Sequence, residues 1–201
     1  MSRIQTPISS STMESMHPDP ASCQMARRVQ SSYAELMTEV DFVPVSKSQR
    51  AGLSAYYNSN NWAFLHITHS ETLGRCLKLS WCDHGRFQEM PLILQLPDQG
   101  PVHLGVRFAY GYLQFYVSMD GLTWRTFGEP LRDSVLAAAT GTFVMLCAQD
   151  QGEKSRLARF NLRSDQEYRA PENLRGAQLF MLNPFPFVRN RVHHTAILLN
   201  R

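Results

Sequence analysis

Along the middle of this chain, apolar and polar residues alternate with a period of two. In Tyr112-Leu-Gln-Phe-Tyr-Val-Ser-Met119, the apolar Leu113, Phe115, Val117 and Met119 are interleaved with Tyr112, Gln114, Tyr116 and Ser118. Successive side chains of a β-strand point to opposite faces, so this pattern predicts a strand with one face on a core. Asp120-Gly121 follows and marks a hairpin turn, because glycine takes a positive φ without steric cost; 122–127 then runs back. Upstream, Val102, Leu104, Val106 and Phe108 alternate with His103, Gly105 and Arg107, giving a first hairpin that turns near 109–111.

The same reading predicts further strands at 34–43, 51–57, 62–68, 75–81, 88–95, 142–149 and 156–162. The breaks between them hold turn formers: Asn58-Ser-Asn-Asn61, Asp83-His-Gly85, Pro97-Asp-Gln-Gly100 and Asp150-Gln-Gly152. Within 34–164 no long helical period appears. About ten short strands with turns every eight to twelve residues predict an antiparallel all-β sandwich. A repeat of fixed period is absent, which argues against a propeller.

The pattern divides the chain into three zones. Residues 1–24 are rich in Ser, Thr, Met and Pro, have no period, and read as a flexible or incomplete start. Residues 25–164 form the sandwich. Residues 165–201 lose the strand period and read as an irregular extension, either a segment for a membrane surface or partner or the product of a misplaced gene boundary. Pro184 and Pro186 in Phe180-Met-Leu-Asn-Pro-Phe-Pro-Phe-Val188 argue against a regular amphipathic helix there.

Composition narrows the function classes. At 201 residues the chain is too short for a large multidomain enzyme, and with 43% hydrophobic and 18% charged residues it can bury a core. Net charge is +3, but 34–164 holds 12 basic and 12 acidic residues, so the basic stripe of a nucleic-acid binder is missing. No run of eighteen apolar residues could span a membrane. The start, MSRIQTPISSSTMES, lacks the apolar stretch of an export signal, so the expected location is cytoplasmic. Cysteines at 23, 76, 82 and 147 are too sparse for a disulfide scaffold and are expected to be free, buried thiols.

Several segments in order carry a resemblance. They are Met25-Ala-Arg-Arg-Val-Gln30, Ala51-Gly-Leu-Ser-Ala-Tyr-Tyr-Asn58, Leu65-His-Ile-Thr68, Cys82-Asp83 with Gly85, Ser118-Met-Asp-Gly-Leu-Thr-Trp124, Thr140-Gly-Thr-Phe-Val144 and Cys147-Ala-Gln-Asp150. Over roughly 13–164 this order resembles the C-terminal concanavalin A-like β-sandwich of family 43 glycoside hydrolases of the β-xylosidase type. The resemblance implies a jelly-roll sandwich that packs on a five-bladed catalytic propeller, walls one side of its pocket and helps assemble oligomers. It implies that the inverting chemistry on xylosides and arabinofuranosides belongs to propeller carboxylates outside this chain, so that no catalytic residue lies here. It also implies that strands upstream of the Ala-Arg-Arg segment are missing, and that Ala139 replaces an aromatic that reaches the pocket.

Candidate sites follow from the alternation. With Val102, Leu104, Val106 and Phe108 facing the core, Arg107 faces outward, as do Tyr112 and Tyr116 on the next strand. With Ala63, Leu65 and Ile67 inward, Trp62 and His66 face outward. Trp62, His66, Arg107, Tyr112 and Tyr116 could together stack sugar rings and hydrogen-bond hydroxyls; the alternative is that they pack under loops or against another domain. His66 and His69 fall on opposite faces, and Cys82-Asp83-His84 has no second half, so neither a metal nor another cofactor is expected. Asp83, Asp98 and Asp120 read as turn residues, and Glu89, Glu129 and Asp133 have no recognisable partner. The expected partners are a glycoside hydrolase propeller or a xylo-oligosaccharide. Three roles stay open: accessory sandwich, stand-alone carbohydrate-binding module, and degenerate protein with only an interaction role.

Overall fold

The structure, a computed structural model, describes residues 23–31, 33–109, 111–132, 141–150, 157–167 and 193–198. These residues form strands β1 (Cys23–Arg28), β2 (Tyr33–Asp41), β3 (Gln49–Asn58), β4 (Asn61–Ser70), β5 (Gly74–Asp83), β6 (Arg86–Glu89) and β7 (Leu94–Gln95). They continue with β8 (Val102–Ala109), β9 (Tyr112–Ser118), β10 (Arg125–Arg132), β11 (Phe143–Asp150), β12 (Leu157–Glu167) and β13 (His193–Leu198). One sheet, here sheet A, has the order β1-β11-β3-β4-β5-β6, with β7 also on β5; sheet B has the order β10-β9-β8-β2-β12-β13. Every pairing is antiparallel.

The two sheets stack face to face, and the period of two explains how. From sheet A, Leu53, Ala55, Ala63, Leu65, Ile67, Leu77 and Leu79 enter the shared core; from sheet B, Leu36, Val40, Leu104, Val106, Phe115 and Phe160 meet them. This is the antiparallel all-β sandwich that the alternation predicts, and it agrees with the concanavalin A-like form that the resemblance implies. Two features fix its close packing. A Cβ on Gly52 would stand 2.0 Å from the Leu65 carbonyl oxygen, so β3 and β4 can approach here only with glycine. Arg75, 3% exposed, donates to the carbonyls of Phe42, Pro97 and Gly100 at 2.8–2.9 Å and so ties two loops to β5.

Several expectations are corrected. The single strand expected at 88–95 is two, β6 and β7, because Pro91 between them has no N–H to continue a ladder. The second hairpin turns later than expected. Asp120 Oδ1 accepts from Ser118 Oγ and from the amides of Leu122 and Thr123 at 2.7–2.8 Å, Gly121 takes φ +72°, and β10 starts only at Arg125. Met119 therefore lies past the end of β9 and is exposed rather than in the core. Residues 193–198, assigned from sequence to an irregular extension, form β13 and pair with β12. Residues 25–28, not recognised as a strand, belong to β1. The thiols are not all free: Cys76 and Cys82 are, but Cys147 is disulfide-bonded. Spacing along a chain does not disclose which strands pair, and pairing decides which cysteines meet. Ala139 lies outside the described residues.

Candidate functional site

The outward residues of sheet B come from alternate positions of β2, β8, β9 and β12. Register sets them in rows across the sheet: Glu35, Arg107 and Gln114; Met37, Gly105 and Tyr116; Glu39, His103 and Ser118. The first row is a buried charge network. Arg107, 3% exposed, donates through Nε to Glu35 Oε1, and Tyr33 Oη donates to the same oxygen at 2.8 Å. The guanidinium carbon lies 5.6 Å from the Tyr116 ring centre and 5.9 Å from that of Tyr33, so two aromatic faces flank the cation. Burial pushes the Tyr116 hydroxyl up to about 12. Burial, reinforced by the bond to Glu35, raises Tyr33 as well.

Gln114 completes this row by donating through Nε2 to the carbonyls of Phe115, Phe127 and Gly128 at 2.9–3.3 Å. Those last two carbonyls lie where the β9–β10 register shifts between Phe127 and Leu131, so the amide satisfies backbone that the ladder leaves out. In the middle row Gly105 has no side chain, and Met37 and Tyr116 pack together beside it with half-buried Trp124. In the third row Glu39 accepts from Asn161 Nδ2 at 2.8 Å and from Arg163 Nη2, while His103 Nδ1 lies 3.8 Å away. Burial pushes the Glu39 carboxyl up, but the bonds from Arg163 and Asn161 outweigh it and leave the group below its ordinary value. Burial lowers His103, partly offset by Glu39; its ring stands edge-on to Trp124 at 6.4 Å.

Sheet A turns a different face outward. Trp62, Phe64, Cys82 and Cys147 pack together with Tyr56, Phe87 and Met145. His66 stacks on Phe64 at 4.8 Å and its Nδ1 faces the Phe64 carbonyl at 3.1 Å, the geometry of a neutral ring donating that proton. Burial pulls His66 down to about 3, and the positive charge of Arg50 adds to it.

The five residues singled out in the sequence therefore fall into two groups. Trp62 and His66 lie on the outer face of sheet A; Arg107, Tyr112 and Tyr116 lie on the outer face of sheet B, on the opposite side of the sandwich. Arg107 and Tyr116 touch, and Tyr112 is half-buried on the same face of β9. The other four are at most 3% exposed. The alternation gave the outward direction of each strand, but it does not say which sheet a strand joins. Sequence reading missed Tyr33, Glu35, Glu39, Asn161 and Arg163. A signal for the first three exists: Tyr33, Glu35, Met37 and Glu39 occupy alternate positions of one strand, as charges facing Arg107 and His103 would. Among the described residues, no three of His, Cys, Asp and Glu gather as a metal site would need.

Comparison with known proteins points one way. The family model described as the β-xylosidase C-terminal concanavalin A-like domain matches residues 11–163. A β-xylosidase of Bacillus subtilis is 34% identical over 136 residues, covering 63% of this chain and 26% of the relative. A putative β-xylosidase of Escherichia coli is 32% identical over 139 residues, again 63% of this chain and 26% of the relative. The crystal structure of a xylan β-1,4-xylosidase from Bacillus halodurans superposes with a TM-score of 0.63 at 29% identity, over 67% of this chain and 28% of that one. The chain thus spans about a quarter of the length of the curated relatives it matches.

Proposed function

The chain belongs to the family of β-xylosidase C-terminal concanavalin A-like domains, and from that we propose that it is the non-catalytic accessory sandwich of a β-xylosidase-like glycoside hydrolase. Its role is to support a catalytic propeller, formed by residues other than these, that works on xylan and arabinoxylan oligosaccharides. The observation that carries this reading is the confinement of the match to about a quarter of each β-xylosidase. The engagement of two largely buried carboxylates on the outer face of sheet B is consistent with it. Inverting hydrolysis needs a carboxylic acid that holds its proton and a second carboxylate free to activate water. Glu35 is engaged by Arg107 and Tyr33, and Glu39 is held ionised by Arg163 and Asn161. Glu39 is therefore not disposed to hold a proton for a substrate. To test this, the remaining three quarters of the Bacillus subtilis relative is prepared without its own sandwich and mixed with this chain. Co-elution on size exclusion supports the reading; separate elution at tens of micromolar counts against it.

The geometry of sheet B favours a second reading, that of a carbohydrate-binding module. Tyr112 is half-buried on the outer face of β9, and an accessible aromatic ring can stack a sugar. Calorimetry with xylo-oligosaccharides should then give saturable heat that Tyr112→Ala abolishes; the absence of heat at millimolar sugar would sink this reading.

A further inference from the structure

We infer that Asp120–Gly121 is a site of spontaneous isoaspartate formation, closed in the folded chain by Ser118 and open wherever the turn between β9 and β10 is lost. It is the only Asp-Gly pair in the sequence, and no Asn-Gly pair occurs. An aspartyl carboxyl carbon can close a five-membered ring with the amide nitrogen of the next residue, and a glycine there has no side chain to hinder the attack. The turn cannot do without this labile pair. Gly121 takes φ +72°, and a Cβ on it would stand 3.1 Å from the His103 ring. Asp120 supplies the oxygen on which Ser118 Oγ and the amides of Leu122 and Thr123 converge at 2.7–2.8 Å. The same two residues that shape the turn therefore carry its chemical weakness.

The reaction consumes nothing but water. The Gly121 nitrogen bonds to Asp120 Cγ, the carboxyl C–OH bond breaks, and water leaves with the amide proton. Water then adds to either carbonyl of the cyclic imide. One opening restores aspartate; the other runs the main chain through Cβ and Cγ and leaves the carboxylate on Cα. In the folded turn both reacting groups are engaged through one atom. The Gly121 amide donates to Ser118 Oγ at 2.9 Å, and that hydroxyl donates to Asp120 Oδ1 at 2.8 Å. The amides of Thr123 and Leu122, with the Ser118 hydroxyl, hold the Asp120 carboxyl well below the ordinary carboxylate range. An ionised carboxylate has no neutral oxygen to release, so the ring does not close. Ser118 is 2% exposed at the end of β9, whereas Asp120 is exposed, so the guard is buried and the guarded group meets water. Once isoaspartate forms, the chain is one carbon longer here and the carboxylate no longer sits where the Leu122 and Thr123 amides point.

The unmodified chain tests the closure first. It is held at neutral pH, folded in one sample and denatured in urea in another, then digested. The peptide carrying 120–121 is separated by reversed phase, where the isoaspartate form has the same mass and a different retention. The denatured sample should gain isoaspartate about tenfold faster or more, because the folded chain reacts only while the turn is open. At low urea, below unfolding, the rate should rise in step with hydrogen exchange of the Gly121 amide. Folded Ser118→Ala should gain isoaspartate several-fold faster than the folded parent, while Ser118→Thr, which keeps the hydroxyl, should stay at the slow rate. Equal rates in the folded and denatured parent, a rate that does not follow Gly121 exchange, or a folded Ser118→Ala chain as slow as the parent would overturn the inference.

Discussion

The outer face of sheet A is packed like an interior: Trp62 against Phe87 at 6.1 Å, Phe64 against His66 at 4.8 Å, with Tyr56, Cys82, Met145 and Cys147 around them. The outer face of sheet B is equally buried at Glu35, Arg107, Gln114 and Tyr116, yet it is held by ions and hydrogen bonds. An apolar face is stabilised by area and tolerates many arrangements of similar volume. A buried charged face is stable only when each group has its partner, so it fixes one arrangement and punishes a single change more than a double one. The contrast makes sheet B the side whose geometry is specified most narrowly.

The largest effect should come from breaking the Glu35–Arg107 pair. Arg107→Met leaves a buried carboxylate without its cation and should cost about 3–5 kcal/mol, read by urea denaturation. The double variant Glu35→Met with Arg107→Met should recover most of that loss. If the double loses as much as the single, sheet B is no different from a packed apolar face. On sheet A, Trp62→Ala should cost about 3–5 kcal/mol by leaving a cavity, and Trp62→Phe much less. A steep loss for the phenylalanine variant would show that sheet A too demands one particular side chain.

Acid separates the faces next. His66 protonates near its ordinary value when unfolded but only at about 3 when folded, so the unfolded state binds the proton first. Its contribution is complete above about pH 6.5 and is lost as pH falls; at pH 5 that amounts to roughly 2 kcal/mol. On sheet B, His103 is also lowered, so it too loses its contribution on acidification below its unfolded value. Glu39 is lowered from 4.5, and its contribution fades only at still lower pH. His66→Asn should therefore flatten stability between pH 7 and 5, and a stability profile as steep as that of the unmodified chain would contradict the assignment. The smallest effect is expected at the rim of sheet A. Lys78 and Glu89 pair at 2.7 Å but are partly exposed, and Glu89→Gln should change stability by less than about 1 kcal/mol.

Much of this could be read from the alternation of residues. β8 and β9 follow Val102, Leu104, Val106 and Phe108, then Leu113, Phe115 and Val117, and the outward direction of Arg107 and Tyr116 comes with them. What the pattern lacks is register between distant strands. Glu35 meets Arg107 because β2 pairs with β8, and Glu39 meets Asn161 and Arg163 because β12 lies on the other side of β2. Trp62 and Tyr116 share an aromatic character and an outward direction, yet belong to different sheets. β1 and β13 were missed for a related reason. Cys23–Arg28 has no alternation of its own, and neither has His193–Leu198, three polar residues followed by three apolar ones, whose partner is fixed by the fold.

The claim that this sandwich supports catalysis without performing it is tested most directly by aryl xyloside hydrolysis in three samples. These are the chain alone, the unmatched three quarters of the Bacillus subtilis relative alone, and the two mixed. The prediction is a rate at the buffer blank for the chain alone, and a higher rate for the mixture than for the relative's fragment. Turnover by the chain alone that resists repurification would contradict it.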